Sequence, residues 1–254
     1  MRIAVLASGS SGNATVVEAG DSAVLIDCGL SVRRLAIRAA ELDFDLEDLT
    51  AIAVTHEHGD HIGGVGALAR RYKLPVYMTH GTFVASSFGE QRGVDVHEIS
   101  PHEPFSVGSL RLRPAPVPHD AKEPCQFVVE FDDLRIGVLT DFGSETQHIN
   151  QHFANCNALV LEFNHDSVML DACEYPDSVK DRIAGRLGHF NNRQAVQLLA
   201  KLSVGPLRHV LAAHISERAN CKSLIQQQLA ATLSGTNVAW DLAHQDKASA
   251  WITI

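Results

Sequence analysis

Short apolar runs recur along the whole chain, each closed by Gly, Ser, Asn or Asp. Arg2–Ala7 is predicted as a strand ended by Ser8-Gly9-Ser10-Ser11-Gly12-Asn13, and Thr15–Glu18 and Ala23–Asp27 as two more joined at Gly20-Asp21. Ser31–Leu42 has helical spacing, with Arg33, Arg34 and Arg38 on its polar side. Then come a buried strand at Ala51–Val54, a Gly-rich helix start leading into Gly64–Arg71, a strand at Val76–Met78 and a helix near Thr82–Phe88. Strand-like runs follow at Val94–Ile99, Leu110–Pro116, Cys125–Phe131 and Leu134–Leu139, with Asp132-Asp133 as a hairpin turn. Their close spacing predicts antiparallel ribbons. From Thr146 onward helices dominate, including Asn191–Leu202, and alternate with strands Leu159–Phe163, Val210–Ala213, Val238–Asp241 and Ala250–Ile254. Many strands with helices outside them predict a layered α/β architecture. With no Pro/Gly/Ser linker, the expectation is one domain over residues 1–254.

Composition narrows the class. Hydrophobic residues at 45% and charged residues at 20% are ordinary for a soluble globular protein. A net charge of −9 excludes nucleic-acid binding through overall charge, so such binding needs a local basic patch or bound metal. Cys28, Cys125, Cys156, Cys173 and Cys221 are scattered, odd in number and free of any CxxC pair, which predicts reduced thiols and a cytoplasmic setting. The start reads as no signal peptide, and no segment has the length of a membrane span.

The chemistry concentrates in Thr55-His56-Glu57-His58-Gly59-Asp60-His61, on the loop after Ala51–Val54. His56 and His58 alternate and point the same way on extended backbone, while Asp60 and His61 follow on the turn. This is not the zincin pattern, because the residue four beyond His56 is Asp60. Two histidines and an Asp-His pair crowd one tetrahedral ion but fit two adjacent ions sharing a bridging ligand. Further ligands are expected at strand ends. His119 in Pro116-Val117-Pro118-His119-Asp120, Asp141 after Arg135–Leu139 and His214 after Val210–Ala213 share the context of His56. Ser8–Asn13 offers a phosphate cradle, through Ser10 and Asn13, or a plain turn; it has neither the P-loop lysine nor the dinucleotide spacing.

His-x-His-x-Asp-His after a strand, followed by a lone His, an Asp and a His, resembles the metallo-β-lactamase fold hydrolases over essentially the whole chain. The resemblance implies a four-layer αββα sandwich with two divalent ions at one edge, zinc first, with manganese or iron as alternatives. It implies His56, His58 and His119 on one ion, Asp60, His61 and His214 on the other, Asp141 bridging, and a metal-activated hydroxide as nucleophile. Ser8–Asn13, Thr55–His58, His119-Asp120-Ala121, Asn164-His165-Asp166, Gly188–Asn192 and His214-Ile215-Ser216 look like the YycJ (WalJ) group, whose members are associated with 5′ exonuclease activity on DNA. The implied function is a DNA 5′ exonuclease acting in DNA repair, with DNA favoured over RNA as partner. The alternative is a small-molecule hydrolase of the same fold, cleaving a thioester, lactone or cyclic phosphodiester.

Glu162 ending a strand, His189 opening a helix and His214-Ile215-Ser216 also resemble tRNase Z. That likeness makes His189 the general acid, oriented by Glu162, with Asp60 counted beside them as catalytic; His165 is expected to line the site or support it. Two departures stand out: Phe190-Asn191 replaces Leu-Ser, and Arg218-Ala219-Asn220 stands where Glu-Asn-Asn is usual. Between Asp141 and His214 there is no room for a β-CASP insertion. Within Asp177–Leu187, Lys180, Arg182 and Arg186 make either a basic strip for nucleic-acid backbone or a solvated helix face. No basic run interleaved with aromatics occurs to support single-strand stacking.

Overall fold

The structure, a computed structural model, describes residues 1–86, 88 and 93–254. In chain order it forms β1 (Arg2–Ala7), β2 (Ala14–Ala19), β3 (Ser22–Ile26), α1 (Val32–Ala40), β4 (Ala51–Ala53), α2 (Gly59–Ile62), α3 (Val65–Tyr72), β5 (Val76–Thr79), α4 (His80–Ala85) and β6 (Val96–Ile99). The second half adds β7 (Phe105–Val107), β8 (Leu110–Pro116), β9 (Cys125–Phe131), β10 (Leu134–Leu139), α5 (Gln147–Phe153), β11 (Ala158–Glu162) and α6 (Ser167–Ala172). After these come α7 (Asp177–Ala184), α8 (Asn192–Leu202), β12 (His209–Ala213), α9 (Lys222–Thr232), β13 (Ala239–Leu242) and β14 (Ile252–Thr253).

Two mixed sheets result, ordered β14-β1-β2-β3-β4-β5-β6 and β13-β12-β11-β10-β9-β8-β7. In each, an antiparallel part continues into parallel strands, β3 through β6 in one and β10 through β13 in the other. Side chains alternate across a strand, so each sheet has two apolar faces. Ile3, Val5, Val17 and Val24 face Phe127, Val129, Ile136, Val138 and Leu211 between the sheets. Ala4, Leu6, Val16 and Leu25 take the opposite face, against Leu35 of α1 and Leu68 of α3. On the second sheet's outer face, Val128, Leu139, Leu159 and Val210 pack on Phe153 of α5, Leu198 of α8 and Leu229 of α9. The layers run helix, sheet, sheet, helix, as expected from the family resemblance.

The element boundaries differ in instructive places. The helix expected over Thr82–Phe88 starts instead at His80, because the Thr79 hydroxyl caps it by accepting from Thr82 N at 3.3 Å. Its expected end crosses residue 87, which lies outside the described residues. Ala250–Ile254 contributes only Ile252–Thr253, paired to β1. The turn expected at Asp60-His61 is helical, as α2, with His58 as its extended N-cap. Asn191 is the N-cap of α8 rather than its first residue, with a reciprocal capping box to Gln194.

Candidate metal centre

The residues of the centre sit where strands end. Both sheets bring the carboxyl ends of parallel strands to one edge, the usual place for a ligand in α/β sheets. Asp27 follows β3, Thr55 and His56 follow β4, His119 follows β8, Asp141 follows β10, Glu162 is the last residue of β11, and His214 follows β12. Asp27, Asp141 and His214 hold left-handed backbone, with φ of 62°, 53° and 52°. Such strain on non-glycine residues persists where surrounding contacts impose it, and it clusters at functional sites. Two glycines admit the His56–His61 loop: a Cβ on Gly29 would meet the Asp60 carbonyl, and one on Gly64 the Leu30 carbonyl.

Hydrogen bonds orient the imidazoles. Thr55 Oγ1 donates to Asp27 Oδ2 at 2.8 Å, so it accepts from His56 Nδ1 at 2.9 Å and leaves His56 Nε2 a bare lone pair. His61 Nδ1 donates to the same Asp27 oxygen at 2.8 Å. His119 Nδ1 donates to the Gly188 carbonyl at 3.2 Å, and His214 Nδ1 lies 3.1 Å from Glu162 Oε1. Four rings are thereby held with Nε2 inward, the arrangement in which histidine serves as a metal ligand. His58 turns Nδ1 toward His119 Nε2, 3.3 Å away.

These atoms fall into overlapping groups whose members lie within 4.8 Å of one another: His56, His58 and His119; Asp60, His61 and His214; and His56, His61 and Asp141. The structure thus brings together all seven residues expected as ligands. Their fit to cations shows in what they lack. His56 Nε2, Asp141 Oδ2 and His214 Nε2 are buried without a hydrogen-bond partner, a costly state for a polar atom unless something else satisfies it. A fourth group, Asp141, Glu162, His189 and His214, is differently engaged. Glu162 Oε1 holds His189 Nδ1 at 2.9 Å, and Oε2 accepts from Phe142 N at 3.3 Å and Phe190 N at 3.1 Å. Its oxygens are already occupied.

Charge supports the same division. Burial pushes the Asp141 carboxyl up, but His214 and His61 outweigh it and hold it well below the usual range. Burial opposes charge on His214, yet Asp141, Asp60 and Glu162 raise it to about 10. His61 is likewise raised against burial by Asp141 and Asp27. His56 goes the other way, driven well down by burial and then by His61. Positive charge is thus favoured at His61 and His214, where carboxylates are buried, which is the role a cation fills.

His189 opens onto a cavity of about 100 Å³ that His214, Ser10 and Asn164 also line. Its ring stacks on His214, centroids 5.2 Å apart. Of the expected substrate contacts, Ser10 is exposed on this wall. Asn13 is turned inward: its amide lies 3.0 Å from His61 Nε2 and 3.2 Å from Asp60 Oδ2, and its carbonyl oxygen accepts from Gly9 N. It braces Asp60 and His61 rather than facing the cavity. His165 is buried, 3.3 Å from Asn164 Oδ1, and burial brings it down to about 4. It sits behind the cavity wall, not on it.

Sequence reasoning assigned no individual role to Asp27, Thr55, Asn164 or Asp120. Asp27 carried the same signal as Asp141, an acid closing an apolar strand. Asn164 donates to the His214 carbonyl at 3.0 Å. Asp120 lies 3.5 Å from His119 Nε2 and is paired with Arg182 of α7. The motif departures keep their local roles. Phe190 packs on Phe142 at 4.0 Å, Asn191 caps α8, and Asn220 ties the carbonyls of Phe163 and Asn164 to Asn192.

Known proteins resemble this chain in sequence and in fold. Residues 22–215 match the family model described as the beta-lactamase superfamily domain. Exodeoxyribonuclease YycJ of Bacillus anthracis is 32% identical over 235 residues, covering 92% of this chain and 89% of the relative. Exodeoxyribonuclease WalJ of Streptococcus pneumoniae is 31% identical over 227 residues, covering 88% and 84%. Among solved structures, the metallo-beta-lactamase fold protein YhfI of Bacillus subtilis superposes with a TM-score of 0.74 over 98% of both chains at 15% identity, a likeness of fold. A fold of this kind implies divalent metal ions, and the residues at its edge can hold them. The chain belongs to the beta-lactamase superfamily, as a metal-dependent hydrolase of the metallo-β-lactamase fold in the YycJ/WalJ-like group.

Proposed function

We propose that the protein is a dinuclear metal-dependent phosphodiesterase acting on nucleic acid, as a DNA 5′ exonuclease. The observation that carries this reading is His189, whose Nδ1 is tied to the buried Glu162 carboxylate at 2.9 Å while its ring lies on the cavity beside His214. Phosphodiester hydrolysis needs a proton for the leaving oxygen, and an imidazole oriented by a carboxylate is suited to deliver it. Burial disfavours charge on His189, but Glu162 and then Asp141 raise its affinity for that proton. The similarity to proteins named exodeoxyribonucleases supports DNA as the substrate.

In this reading His56, His58 and His119 would hold one ion and Asp60, His61 and His214 the other, with Asp141 proposed to serve both. Imidazole and carboxylate donors suit zinc first, and also manganese or iron. When bound, the ions supply positive charge against the phosphate oxygens and make water acidic enough to attack at neutral pH. The chain's own part is orientation. Asp27 and Glu162 fix the rings of His61 and His214, Asn13 holds Asp60, and Glu162 aims His189 at the cavity.

Release of nucleotides from end-labelled duplex DNA, by protein loaded with zinc or manganese, is the expected result. Single-stranded DNA and RNA, with metal analysis of the same sample, test preference. No release above a His58→Ala control, across metals and both ends, would sink the proposal. The net charge of −9 favours a second reading, a small-molecule hydrolase. High turnover of a thioester, lactone or cyclic phosphodiester, with DNA inert, would decide for it.

A further inference from the structure

The cavity at His189 has a wall that the hydrolytic chemistry does not use. Besides its polar side chains the cavity is lined by Tyr175, Ile183 and Ile215. Tyr175 comes from the segment after α6 and is half-buried. The guanidinium of Arg218, from the loop that follows His214, lies over the Tyr175 ring, 5.5 Å from its centroid. Among the described residues no carboxylate pairs with Arg218, and its side chain is exposed. Arg218 belongs to the stretch in which this chain departs from its group's usual pattern. An aromatic ring and two branched apolar side chains thus line one small cavity beside the imidazole proposed as proton donor, and an unpaired guanidinium lies against that aromatic ring.

We propose that Tyr175 and Arg218 form the subsite for the terminal nucleotide of the nucleic-acid substrate. The base stacks on the Tyr175 ring between Ile183 and Ile215, and the guanidinium pairs with an adjacent backbone phosphate. An aromatic face accepts any base, so the subsite selects a nucleotide end without selecting sequence. Arginine suits the second task because its planar fork meets phosphate oxygens in pairs while its face stays on a ring. This inference rests on the nuclease reading above.

The test compares Tyr175→Ala, Tyr175→Phe, Arg218→Ala and Arg218→Lys with wild type, each checked for unchanged metal content and melting temperature. Substrates are duplex DNA with a normal terminal nucleotide and the same duplex ending in an abasic tetrahydrofuran residue. Tyr175→Ala is expected to raise KM on normal ends roughly ten-fold, the scale of one base–aromatic stack, with kcat little changed. It should leave the abasic substrate unaffected, and Tyr175→Phe should restore the wild-type value. Arg218→Ala should raise KM on both substrates and flatten the dependence on salt, with Arg218→Lys recovering part of the loss. Wild type that degrades DNA while Tyr175→Ala and Arg218→Ala behave identically to it overturns the subsite alone. Equal losses on normal and abasic ends for Tyr175→Ala overturn the stacking role. Wild type inert on every DNA end removes the nuclease reading and the subsite with it.

Discussion

At the scale of single residues, the hydrogen-bond partners separate two kinds of histidine. His56, His61 and His214 have one nitrogen fixed and Nε2 turned into the centre. His189 has Nδ1 fixed on Glu162 and its ring on the cavity. The proposed roles therefore predict opposite phenotypes. His189→Ala should lower kcat by roughly 10²–10⁴, the usual share of a general acid, while metal analysis still finds both ions. Loss of an ion in that variant would make His189 a ligand instead. Asp141→Ala should deplete metal, because Asp141 is proposed to bridge both ions, and the variant retaining two ions would contradict that bridge. The sequence made these seven ligand candidates visible through residue type at strand ends. It could not show Asp27 beneath His61, since a carboxylate 34 positions away is a neighbour only after β3 and β4 pair.

At the scale of elements, helix α5 carries a test independent of the site. His152 Nε2 donates to the Arg113 carbonyl of β8 at 3.0 Å. Burial lowers this imidazole to about 4, with nearby His148, Arg113 and Arg135 adding to the effect and the Arg113 carbonyl opposing it. The unfolded chain takes up the proton near pH 6.5, so it gains protons before the folded protein does. Stability from this group is therefore full above about pH 6.5 and is lost as pH falls toward about 4. His152→Gln keeps a donor and removes the titration. Urea unfolding at pH 7.5 and pH 5 should show a smaller acid loss for the variant than for wild type; equal losses would refute the assignment. Elements with long apolar runs or clear caps were legible from sequence, as β9, β10 and α8 show. The start of α4 was not, because His80-Gly81 has no helical signature and only the Thr79 cap sets it.

At the scale of the whole molecule, the centre joins the two sheets. The first sheet supplies His56, His58, Asp60 and His61, and the second supplies His119, Asp141 and His214. An ion bound between them would tie the halves of the sandwich to each other and would have no equivalent partner in the unfolded chain. At free metal a hundred-fold above Kd, such binding adds about 2.7 kcal/mol per site. A chelator is thus expected to lower Tm, and restored metal to raise it with added concentration. A Tm indifferent to both would argue against ions held by these residues. No helix among the described residues is long and apolar enough to cross a membrane.

What the sequence determined by itself were the features written in local order. These are the alternating apolar strands, the helices that cover them, and a ligand series recognisable because residue type and strand-end context repeat. Resemblance then carried those features to a family, and the fold agreed. Tertiary structure decided whatever depends on residues far apart in the chain. It set which nitrogen of each imidazole faces inward, and it turned Asn13 toward Asp60 instead of the cavity. It also placed Arg218 over Tyr175, although no basic run interleaved with aromatics exists in the sequence. The physical reason is the same in each case. Hydrogen bonds and ring contacts act over a few ångströms of space, and the pairing of strands, not their order, decides what lies within that distance.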